Sequence, residues 1–135
     1  MTSSSIIQQF FQLTSEEKIF ILMYPEYANA IKASKETAFA ETRRRFGRNG
    51  RNDRSDAFRH CFWSALLTRE IGYAAALRFT TAHESSPTND AAEKAMDMHN
   101  NSIGLTIGRT NASNQVLGQR CMDALKSGRL KVLAE

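Results

Sequence analysis

Asp53-Arg-Ser-Asp-Ala-Phe-Arg-His-Cys-Phe-Trp-Ser-Ala-Leu-Leu-Thr-Arg-Glu-Ile-Gly72 is the stretch on which the fold turns. Asp53 is a good N-cap and Gly72 a good stop, and neither Pro nor Gly interrupts the residues between them. The spacing predicts a helix over about Arg54 to Ile71. Asp56, Arg59, His60 and Trp63 recur at i, i+3, i+4 and i+7, so they share one face. Phe58, Phe62, Ala65 and Leu66 occupy a different, apolar side.

The same reading extends outward. Upstream, Ile6, Ile7, Phe10 and Phe11 predict a short first helix. Thr14-Ser-Glu-Glu17 is a capping box that opens a second, buried through Ile19, Phe20, Leu22 and Met23. Pro25 ends that helix or opens the next. Glu26 to about Phe46 reads as a long helix closed by Gly47, followed by the loop Arg48-Asn-Gly-Arg-Asn-Asp53. Downstream, Tyr73 to Glu84 is an Ala-rich helix, and Ser85-Ser-Pro-Thr-Asn89 is a turn cluster. Asp90 to about Arg109 is another helix despite Gly104 and Gly108, and a last one is capped within Asn111 to Asn114. The tail from Arg129 to Glu135 reads as a short strand or as loose chain. No pair of alternating β-branched runs is present. The expectation is all-α: a single compact domain of five to seven helices. It has short N-terminal helices within 1–46, a candidate site region at 54–108 and a C-terminal helix at about 112–127.

A chain of 135 residues has room for one domain, and 41% hydrophobic residues suffice for one core. No apolar run is long enough for a transmembrane segment. The N-terminus lacks the basic and apolar regions of a conventional signal peptide. The reading is a protein made in the bacterial cytoplasm and, if secreted or delivered into a target cell, exported by a signal-independent route or from a larger precursor. Cys61 and Cys121 form no CxxC or zinc-ribbon spacing and read as free structural thiols, with a disulfide open only to an oxidising compartment. The formal charge is +4, and six arginines, Arg43, Arg44, Arg45, Arg48, Arg51 and Arg54, concentrate the excess next to the Asp56–His60 face. Such a run is a solvated face or a seat for an anion. Sparse aromatics around it argue against base stacking.

Three stretches carry candidate chemistry. Asp56 can fix the His60 tautomer and free its other nitrogen, while Arg59 can hold a phosphate or carboxylate. In Ala82-His83-Glu84, His83 suits a helix C-terminus but Glu84 opposes the helix dipole there, so Glu84 calls for a specific partner. In Met96-Asp-Met-His-Asn-Asn-Ser-Ile-Gly104, Asp97, Asn100, Asn101 and Gly104 share a face, and Gly104 and Gly108 let another helix or a ligand approach closely.

The ordered set Asp56-Ala-Phe-Arg-His60, Trp63, Ala82-His-Glu84, then Met96-Asp97 with Asn100-Asn101 and Gly104 resembles a poorly characterised bacterial domain family. That family stands at the C-terminal ends of secreted, wall-associated and polymorphic-toxin proteins. The resemblance spans roughly Arg54 to Gly108. It implies functional roles for Arg59, His60, His83, Glu84, Asp97 and Asn101, leaves His99 outside the pattern, and implies no particular reaction.

The leading expectation is a small toxin- or effector-type hydrolase. His60, His83, Glu84 and Asp97 are its catalytic candidates. Arg59, Asn100, Asn101, Arg48, Arg51 and Arg54 are its substrate-binding candidates, with the two amides donating to a developing oxyanion. His60, His83 and Asp97 can alternatively hold a divalent metal ion with a bound water. No Gly-x-Ser-x-Gly elbow exists, and Cys61 diverges from His60 on the helix, which disfavours both as nucleophile sites. The substrate is anionic, with phospholipid or peptidoglycan of the envelope slightly favoured over nucleic acid, and a cognate immunity protein is an expected partner. The rivals are a nuclease toxin, a non-enzymatic nucleic-acid- or protein-binding module using Arg43–Arg54, and an immunity or scaffold protein with a buried polar network.

Overall fold

The computed structural model describes residues 12–87 and 90–134. The helix expected around Ile6 to Phe11 lies outside the described residues. Six helices follow in order: α1 (Ser15–Met23), α2 (Ala28–Phe46), α3 (Arg54–Ile71), α4 (Tyr73–His83), α5 (Ala91–Ile107) and α6 (Asn114–Lys126). Short 3₁₀ turns sit at Pro25–Tyr27 and Gly108–Thr110. The all-α expectation is met, with no strand among the described residues.

Local chemistry explains the boundaries. The Thr14 hydroxyl accepts from the Glu17 N–H at 3.0 Å, and Glu17 Oε1 accepts from the Thr14 N–H at 2.8 Å, the reciprocal pair of a capping box. Asp53 caps α3 by accepting from the Asp56 N–H at 3.0 Å. Asp90 and Ser113 cap α5 and α6 in the same way. Gly47 takes the left-handed conformation, φ 74°, that ends α2. Pro25 opens a 3₁₀ turn, so the long helix starts at Ala28 and not at Glu26.

The central element is α3, which packs against α2, α4, α5 and α6. Its apolar side, including Phe58, Phe62, Leu66 and Leu67, is buried, as expected. Its polar side is not at the surface either: Asp56 and Trp63 are also buried, because α4 and α5 cover them. The glycines of α5 permit this closeness. A Cβ at Gly104 would lie 2.0 Å from the Cys61 carbonyl oxygen, and one at Gly108 2.3 Å from that of Ala65. Of the two visitors expected at these glycines, the one that comes is another helix.

The tail is neither a strand nor loose. Asn100 donates to the Lys131 carbonyl at 2.9 Å and accepts from its N–H at 2.8 Å. The N–H groups of Leu133 and Ala134 both donate to the Asn52 carbonyl. Cys61 and Cys121 are buried free thiols. Burial, then the Cys61 thiol beside it, pushes Cys121 well above the ordinary thiol range.

Candidate functional site

The N-terminal half of α3 delivers His60, the C-terminal end of α4 delivers His83 and Glu84, and the middle of α5 delivers Asp97 and Asn101. His60, His83, Glu84 and Asp97 meet at one groove of about 410 Å³, with Arg59 also in its wall.

His60 Nδ1 faces two acceptors, the Asp56 carboxylate Oδ1 at 3.0 Å and the Asp56 backbone carbonyl at 3.1 Å. Nδ1 therefore carries the proton and donates, which directs Nε2 to the groove's chemistry. Nε2 lies 3.7 Å from Glu84 Oε2 and 3.6 Å from Asp97 Oδ2. Both separations exceed hydrogen-bond length, so the ring nitrogen faces two carboxylates across a gap.

His83 is held in the same manner from a different element. Its Nδ1 lies 2.8 Å from Glu17 Oε2. The Trp63 ring stands edge-on to the His83 ring at 5.0 Å, and the two imidazole rings are 6.3 Å apart. Glu84 is buried and its Oε2 accepts from Asn101 Nδ2 at 3.1 Å, which is the specific partner its position demanded. Asn101 Oδ1 in turn accepts from Ser64 at 3.2 Å. Asp97 differs from all of these, because its buried Oδ1 has no hydrogen-bond partner.

The protonation equilibria follow from these contacts. Burial opposes charge on His60, but its hydrogen bond to Asp56 and the charges of Asp97, Asp56 and Glu84 outweigh it and push the ring up to about 9. Burial raises Asp97, as do the Glu84 and Asp56 charges, and against His60 and His83 it still reaches about 6. Burial likewise opposes ionised Glu17 and Asp56. Their contacts with His83 and His60 respectively, helped by Thr14, Asn52 and Arg59, win and hold both below the ordinary carboxylate range.

Apart from Arg54, the other expected site residues are engaged within the chain. Asn100 is fully buried and spends its amide on Lys131, so it offers no oxyanion donor. Asn101 donates from its amide to Glu84 and holds that carboxylate in place. Arg59 lines the groove, but its donors go to Asp56 at 2.6 Å, Gly50 O at 3.0 Å and Asn49 at 3.3 Å, and it stacks over Phe39. Arg48 pairs with Asp53, and Arg51 lines the groove paired with Glu93. Arg54 is exposed at the start of α3 and does not line the groove. Of the set His60, His83 and Asp97, the grouping of both imidazoles is with Glu84: their ligand atoms all lie within 4.8 Å of one another. Asp97 groups with His60 and Asp56.

Glu17 is the site residue that the sequence does not announce, since the capping box alone accounts for it. A second, apolar cavity of about 230 Å³ shares His60, His83, Glu17 and Arg59 with the groove. Ile31, Ala38, Phe39, Trp63 and Phe79 line it, with Lys35 also at its wall.

A family described as Domain of unknown function (DUF6973) matches residues 18–129. The chain belongs to this family. The matched segment takes in every helix from α2 to α6, and with them the whole His60–His83–Glu84–Asp97 cluster. No curated protein and no solved structure matches the chain. Among the described residues no helix is long and apolar enough to cross a membrane.

Proposed function

We propose that this DUF6973 member is a small toxin- or effector-type hydrolase that acts in the α3–α4–α5 groove on an anionic ester, with an envelope phospholipid the favoured substrate. The observation that carries the reading is His60 Nε2 set between Glu84 and Asp97, at 3.7 and 3.6 Å, in an open groove. Such a cluster of imidazole and carboxylate in a cleft is the constellation expected of acid–base hydrolysis.

The roles follow from the contacts. Asp97 is the base: its carboxylate lines the groove, and Oδ2, 3.6 Å from His60 Nε2, takes the proton of a water. The water oxygen then bonds to the ester centre. The bond to the leaving alkoxide breaks, and an imidazolium returns a proton to that oxygen. Asp56, Glu17 and Asn101 are positioning residues that hold His60, His83 and Glu84.

The apolar cavity beside the groove supports a substrate with a hydrocarbon part. The basic run gives less support to a nucleic-acid-binding module. Arg44 and Arg45 pair with Glu41, Arg48 with Asp53 and Arg51 with Glu93, so much of its charge is neutralised within the chain.

The test is expression in bacteria, once in the cytoplasm and once behind a periplasmic leader. Growth arrest only with the leader, with lipid breakdown products, is the expected result. Loss of DNA or RNA integrity on cytoplasmic expression contradicts the envelope substrate.

A further inference from the structure

We propose that the groove binds one divalent cation of the zinc class, with His60, His83 and Glu84 as its ligands and Asp97 left as the neighbouring base. Two ligand atoms each about 2.1 Å from a tetrahedral ion stand roughly 3.4 Å apart. His60 Nε2 and Glu84 Oε2 are 3.7 Å apart, too far to hydrogen-bond and close to the separation a shared ion imposes. A ring nitrogen of His83 joins the same set within 4.8 Å.

Metal-binding imidazoles donate their other N–H to a carboxylate or carbonyl, and ligating carboxylates are themselves hydrogen-bonded. Each of the three ligands has such a partner: Asp56 behind His60, Glu17 behind His83, and Asn101 behind Glu84. Three independent elements, α1, α3 and α5, contribute these partners. Asp97 lacks one, which separates its role from theirs.

Glu17, Asp56, Glu84, Glu93 and Asp97 crowd one groove against two arginines, Arg51 and Arg59. A divalent ion balances that excess. Two imidazoles and one carboxylate favour zinc-class ions over Mg²⁺ or Ca²⁺, which prefer all-oxygen sites. With the ion bound, His60 Nε2 carries it in place of a proton. If the site is hydrolytic, the ion would polarise the ester and acidify the water that Asp97 deprotonates, and protonated Asp97, in place of an imidazolium, would return that proton to the leaving oxygen. Binding itself does not rest on the hydrolase reading.

The experiment is calorimetric titration of chelator-treated full chain with Zn²⁺, repeated with Co²⁺ while the visible spectrum is followed. One equivalent per chain and the absorption of a low-coordinate Co²⁺ site are expected. His60→Ala and His83→Ala lose saturable binding. Glu17→Gln weakens it roughly 10–100-fold. Asp97→Asn and His99→Ala keep the stoichiometry; His99 lies on the surface against the Arg129 carbonyl. His83 is partly exposed, so its variant folds even if His60→Ala does not. No saturable binding by the wild type, or binding that survives His83→Ala unchanged, overturns the proposal. Metal binding without any turnover removes the hydrolase reading and leaves the site. Turnover by a metal-free chain keeps the hydrolase reading and removes the ion's part in it.

Discussion

Nδ1 of His83 lies 2.8 Å from Oε2 of Glu17, and the other oxygen of that carboxylate closes the cap of α1 at 2.8 Å from the Thr14 N–H. One side chain thus starts a helix and aims a site imidazole across 66 residues of sequence. The Thr14 hydroxyl reinforces the join by donating to the Ala82 carbonyl at 2.8 Å.

Glu17→Gln separates the two roles. Glutamine retains an oxygen for the cap but presents an amide, not an acceptor, to His83. Stability is expected to change by less than about 1 kcal/mol, while turnover falls roughly 10–100-fold. Melting curves and kcat on one preparation check this. Equal loss of both would make Glu17 a cap and nothing more.

Asn100 and Asn101 are neighbours with opposite consequences. Asn100→Ala leaves the Lys131 N–H and C=O without partners, at roughly 1–3 kcal/mol. It is expected to free the tail and leave kcat intact. Asn101→Ala frees Glu84 and is expected to lower kcat. Limited proteolysis of the tail, read beside turnover, distinguishes them.

Gly104→Ala drives a methyl into the Cys61 carbonyl, so α3 and α5 must separate. Overpacking of this kind costs about 1–3 kcal/mol, and contact with backbone places it at the upper end. Denaturant unfolding measures it, and a wild-type midpoint would contradict the packing.

Asp53 gives a sign for acid stability. Burial raises its carboxyl, but the Ser55 hydroxyl, the Asp56 N–H and the Arg48 charge outweigh burial and the opposing Asp56 charge. They hold it below its ordinary 3.8. A lowered carboxyl stabilises the fold above its unfolded value, and that contribution is lost as pH falls through the folded one. Wild type is therefore expected to exceed Asp53→Asn near neutrality, with the gap closing below about pH 4. Paired melting curves across that range decide it.

The helices were legible because their punctuation is local: Thr14, Asp53, Gly47 and Gly72 act within one turn of where they stand. Glu84 and Asp97 were legible as residue types that helix ends and interiors do not ordinarily favour, His60 as part of a polar helix face, and His83, which suits a helix C-terminus, through the ordered motif set. Glu17 was not, because its cap explained it fully and its second oxygen finds a partner only after folding. Asn100 was misplaced for a simpler reason. Consecutive helical residues point about 100° apart, so Asn101 reaches Glu84 while Asn100 turns to Lys131 of the tail. The arginines drew attention to charge, while their acceptors, Glu41, Asp53 and Glu93, are set by tertiary packing.

The central claim is that water is activated between His60, Glu84 and Asp97. Turnover of anionic phospholipid vesicles by wild type and by folded Asp97→Asn tests it most directly. Removal of the base is expected to cost about 10²–10⁴-fold in kcat with the melting temperature retained. Equal turnover by the two proteins would contradict the account.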